Sequence, residues 1–77
     1  MNKARRNELE KISSALTDLM EQLQWVCDEE QEAFDNLPEG IQCSERGEQM
    51  EEYISQMEDA VNSIDEAIDY IDEIWNC

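Results

Sequence analysis

Seventy-seven residues carrying 21 acidic and 5 basic side chains, with a net charge of −16 and no histidine, make one small domain. That charge excludes direct attraction to nucleic acid or to an anionic membrane surface, and the lack of histidine removes the commonest general base, the usual triads and most zinc sites. A chain this short buries only about 60% of its unfolded surface, so its fold needs a supplement such as well-idealised helix packing or oligomerisation.

The chain opens with a basic segment, Lys3, Arg5, Arg6 and Lys11 against Glu8 and Glu10. From Leu9 onward, Ile12, Leu16, Leu19, Leu23, Val26, Glu30, Ala33 and Leu37 follow strictly alternating spacings of 3 and 4. Such heptads mark a helix packed along a seam, here over about residues 3–36. Pro38 lacks a backbone donor and pushes its predecessor out of helical geometry, so a loop follows over 37–43. Ser44 is a suitable N-cap for a second helix over about 44–76, with Glu45 and Glu48 favouring its dipole. Gly47 is expected to fray that first turn at a cost of up to about 1 kcal/mol. The second helix repeats the alternation through Met50, Tyr53, Met57, Ala60, Ile64, Ala67, Ile71 and Ile74.

So short a loop forces an antiparallel arrangement. The expected fold is all-α, a single-domain two-helix coiled-coil hairpin. Folding about residue 40 would set Leu23 near Met57, Leu16 near Ile64 and Leu9 near Ile71. Labelling Leu9 and Met50 as heptad position a, a second apolar row occupies the e positions. It comprises Met20, Cys27 and Phe34 in the first helix, and Ile54, Val61, Ile68 and Trp75 in the second. A two-helix hairpin buries one narrow stripe per helix, so this row is expected to face water. Pairing of two hairpins would bury it, which predicts a homodimeric four-helix bundle with Met20, Phe34, Ile54, Val61, Ile68 and Trp75 as its interface.

The charge is unevenly spread. At the open end the basic start is expected to lie beside Asp69, Asp72 and Glu73. Around the bend, Glu29, Glu30, Glu32, Asp35, Glu39, Glu45, Glu48, Glu51 and Glu52 gather with Arg46 as the sole counter-charge. Concentrated like charge destabilises. Either it is a solvated face that maintains solubility, or it is a docking surface for a basic partner. Trp25, at a c position away from the seam, either folds back over its neighbours or serves as an apolar binding anchor.

Catalytic chemistry finds no support. Cys27, Cys43 and Cys77 fall mid-helix, in the loop and at the opposite tip, too far apart to share a metal or to pair within the chain. The acids sit on helices, not around a calcium-binding glycine turn. There is no Gly-rich phosphate loop, no apolar run approaching a membrane span and no signal-peptide pattern at the start. The expectation is a non-enzymatic cytoplasmic protein with free thiols and no cofactor.

The stretches Asn2-Lys3-Ala4-Arg5-Arg6, Ala33-Phe34-Asp35-Asn36-Leu37-Pro38-Glu39-Gly40 and Ser44-Glu45-Arg46-Gly47-Glu48 resemble small acidic proteins of phage and prophage regions in Gram-positive bacteria. That resemblance implies a mobile-element origin and a bacterial cytoplasm. With the charge, it suggests an inhibitor of anti-CRISPR or other anti-defence type that mimics DNA. Carboxylates about 10 Å apart along a helix would then present a line of negative charge to a basic, nucleic-acid-handling host protein. Its binding residues would be Glu29, Glu32, Asp35, Glu39, Glu45, Glu48, Glu51 and Glu52, with Trp25 as anchor. The alternatives are a structural or assembly coiled-coil module, in which the apolar e row acts, and an antitoxin-like regulatory subunit.

Overall fold

The computed structural model describes residues 1–76; Cys77, placed by the sequence at the open tip, lies outside the described residues. Three helices follow one another: α1 (Lys3–Asp35), α2 (Glu39–Gln42) and α3 (Glu45–Trp75). The long helices α1 and α3 pack against each other. Two contacts fix their antiparallel sense: Ser13 meets Asp72, and Cys27 meets Ile54. The result is a rod of 58 × 14 × 12 Å with a radius of gyration of 17.4 Å, against about 12 Å for a compact domain of this length.

Each long helix begins where a side chain satisfies an orphan amide. Asn2 accepts from the backbone N–H of Arg5 at 2.8 Å, and Ser44 accepts from that of Gly47 at 3.5 Å. The bend is more ordered than a bare loop. Pro38 starts the single turn α2, and the N–H groups of Ile41 and Gln42 return to its carbonyl at 2.9 and 3.0 Å. The Gln42 side chain then donates to the carbonyl of Phe34 at 3.0 Å, which also accepts from the N–H of Leu37, and reaches the carbonyl of Asp35 at 3.5 Å, tying the end of α1 to the bend.

Gly47 does not fray α3. It is buried, and a Cβ built on it would stand 2.7 Å from the Cα of Gln42 and closer still to that residue's carbonyl. Glycine is therefore the residue that lets the first turn of α3 lie on the backbone of α2. The register departs from a fold about residue 40 toward the open end: Cys27 meets Ile54, one residue from the expected pairing, while Ser13 meets Asp72, five residues from it.

The largest correction concerns the seam. The e row does not face water. Ile54 and Ile68 are buried, Cys27 is 2% exposed, and Met20, Phe34, Val61 and Trp75 are half-buried between the helices. The positions left outside are the d row: Ile12, Leu19 and Val26 on α1, and Tyr53 and Ile74 on α3, are all exposed. The reason is volume. On α3 the e row offers Val61 and Ile68 where the d row offers Ala60 and Ala67, and each larger aliphatic gains about 1–2 kcal/mol more on burial than alanine. Small side chains at e on α1, Ser13 and Cys27, let the two helices close over that row. The six residues expected to join two hairpins instead hold one together.

Candidate functional site

Two surfaces stand out: the acidic end around the bend, and the apolar flank left by the rotated seam.

At the acidic end, α1 contributes Glu29, Glu32 and Asp35 in its last two turns, α2 contributes Glu39, and α3 contributes Glu45, Glu48, Glu51 and Glu52 in its first two turns. All eight side chains are exposed, as is Arg46. The Ser44 cap and the Gln42 bridge fix how the two groups face around the bend. Glu30, at a seam position, is half-buried. Some of the amide side chains here engage neighbours one turn away: Gln31 donates to Asp35 at 3.0 Å and Gln56 to Glu52 at 3.5 Å. Asp35 and Glu52 themselves stay exposed, so the end offers a dense set of acceptors to cationic donors.

Trp25 is 65% exposed. With Val26 it lines a shallow depression on α1 bordered by Asp18, Glu21, Gln22 and Glu29. The ring does not fold away into the seam. It stands between the acidic end and the middle of the rod, an apolar surface with carboxylates around it.

At the open end, Lys3, Arg5, Arg6 and Lys11 are exposed. Asp72, expected to face them, directs one oxygen into the interhelical contact, where it accepts from Ser13 Oγ at 2.5 Å and from Trp75 Nε1 at 2.7 Å. The sequence reading missed this clamp, whose only signal is a serine interrupting an apolar row opposite an aspartate just outside one. Thr17 extends it by donating to the Ser13 carbonyl at 3.0 Å.

Cys27 is buried with its Sγ 3.8 Å from the carbonyl of Ile54. Burial pushes its thiol above the ordinary value of 9.0, and the charges of Glu58 and Asp28 push the same way. A thiol held protonated is a poor nucleophile; Cys27 is a packing residue. Cys43, in the bend, is free and exposed. Among the described residues no group of three or more His, Cys, Asp or Glu side chains is placed to hold a metal ion, and no helix is long and apolar enough to cross a membrane.

No family model matches the chain, and neither a curated protein nor a solved structure matches it significantly.

Proposed function

We propose that the protein is a phage-encoded, non-enzymatic inhibitor of the anti-CRISPR or anti-defence type, acting in the bacterial cytoplasm. Its acidic end occupies the nucleic-acid channel of a basic host protein. The observation that carries this reading is the gathering of eight exposed carboxylates, with Arg46 among them, at one end of a 58 Å rod. Such a tip is narrow enough to enter a channel shaped for a nucleic-acid backbone. It offers acceptors to the same Lys and Arg donors that would bind phosphates. Trp25 supplies an apolar anchor beside the charge. Pairing into a four-helix bundle accompanies this reading.

The test is a pull-down from a Gram-positive host lysate in low and then high salt, with the retained protein identified by mass spectrometry. The triple variant E45K/E48K/E52K should lose that protein, and the wild-type complex should weaken steeply with salt. A complex indifferent to both salt and charge reversal would refute the acidic-end reading.

The exposed apolar d row favours a second reading, a structural or assembly module in which the charge serves only to keep the chain dispersed. In that case E45K/E48K/E52K retains function and substitutions on the d row abolish it. Substitutions at Ile54, Val61 and Ile68 would not discriminate, because those residues hold the hairpin itself together.

A further inference from the structure

We propose that the face formed by the d and g rows of both helices docks a second copy of this chain in antiparallel orientation, giving a four-helix rod with an acidic tip at each end. This goes beyond the acidic-end reading and is tested separately from it.

The two d rows share one side of the hairpin. Asp72, a b position on α3, reaches Ser13, an e position on α1, so the e and b flanks of both helices lie together. The d and g flanks must then lie together on the opposite side, as like positions do in any antiparallel pair. That side carries most of the large apolar surface left uncovered. Ile12 is 42% exposed, Leu19 55%, Val26 53%, Tyr53 50% and Ile74 45%, with Tyr70 beside them at a g position.

Charge identifies the occupant. All eleven carboxylates of α3 fall at b, c or f positions, and its d and g rows from Gln49 to Ile74 hold none. On α1 the same rows from Ile12 to Ala33 hold Glu29 alone. A partner chosen for basicity would be met on the acidic flanks, not on this neutral strip. A second body of charge −16 has the opposite requirement: it can approach only where carboxylates are missing.

Size and need agree with this assignment. A rod 58 Å long gives this face the length to approach the roughly 800 Å² per partner of a standard interface. Inside the hairpin, Cys27, Ile54 and Ile68 are the buried apolar residues, and no described side chain is fully enclosed. So thin a core calls for a supplement.

Charge also sets the orientation. Residues 28–52, around the bend, hold ten carboxylates against Arg46, whereas all the other basic residues lie in the first eleven positions. Parallel hairpins would lay two such bends side by side. A two-fold axis across the rod, level with residues 22–23 of α1, separates them by the rod length, several times the Debye length of about 8 Å at physiological salt. It also sets residues 3–11 against 34–42 of the second copy, bringing Lys3, Arg5 and Arg6 toward its Asp35 and Glu39. The same axis pairs Leu19 with Val26 of the second copy.

Light scattering should give twice the 9.0 kDa chain mass, and L19E/V26E should halve it while leaving the helical circular dichroism intact. A wild-type monomer, or a dimer that survives L19E/V26E, overturns the proposal. Orientation is read from nitroxide labels at the exposed Cys43 in a Cys77→Ser background. The expected spin–spin distance is on the order of the 58 Å rod. A distance near the 8–10 Å spacing of packed helices, extended only by the label arms, overturns the antiparallel arrangement.

Discussion

The Oγ of Ser13 donates to Oδ1 of Asp72 at 2.5 Å across the open end of the hairpin, and the same carboxylate oxygen accepts the indole N–H of Trp75 at 2.7 Å. One acidic side chain thus ties α1 to α3 and positions the aromatic ring that closes the seam. Ser13→Ala should cost about 1 kcal/mol, the usual net value of such a bond, and lower the melting temperature by about 4–8 °C. Asp72→Ala removes both acceptor contacts and should cost about 2 kcal/mol. In a double-mutant cycle the Ser13→Ala penalty should nearly vanish when Asp72 is already alanine; full additivity would mean that the bond carries no weight.

Gly47→Ala discriminates packing from propensity. Helix propensity alone predicts a gain of up to about 1 kcal/mol in α3. The added Cβ meets the Gln42 backbone instead, so the variant should be destabilised by about 1–3 kcal/mol. Gly40→Ala meets nothing within 4 Å and should be neutral or mildly stabilising. Denaturant midpoints of the two variants should therefore move apart.

Cys27 and Cys43 should differ sharply in reactivity. Cys43 is exposed and should be alkylated at once, while Cys27 should react only through opening of the hairpin. The raised thiol of Cys27 also has a consequence for stability. Its contribution is fully present below pH 9 and is lost as pH rises through the folded-state value, because the unfolded thiol ionises first. The stability difference between wild type and Cys27→Ala should thus shrink above pH 9. A difference that stays constant up to pH 10.5 would contradict the assigned burial.

Glu30 is a half-buried acid in an otherwise apolar row and sits among the carboxylates of the bend. Glu30→Leu should stabilise the hairpin by about 1 kcal/mol through added apolar burial. Added salt should raise the melting temperature of wild type more than that of the variant, since part of the repulsion it screens has been removed. An equal response to salt would show that Glu30 is too well solvated to feel its neighbours.

Much of the fold is legible in residues taken one at a time. Pro38 announces the bend, Ser44 the start of α3, and the spacing of Leu9, Leu16 and Leu23 the inner face of α1. The acidic tip is legible as well, since placing nine acids around a bend requires only that the bend exist. Sequence alone places the seam one row off because Ile12, Leu16 and Met20 occupy three adjoining rows, any two of which make a plausible stripe. Choosing between them needs the opposite helix. Gly47 is opaque to sequence for a similar reason: helix propensity concerns its own turn, whereas its role lies against the Gln42 backbone.

Local sequence determined that two long helices form, where each begins and ends, and that negative charge collects where they turn, because capping, proline geometry and heptad spacing act within a few residues. Tertiary structure decided which apolar row is enclosed and which is left outside, because burial is settled by the volumes two helices present to each other. The rotation that encloses Ile54 and Ile68 leaves Leu19 and Val26 exposed on a face of the rod almost free of charge.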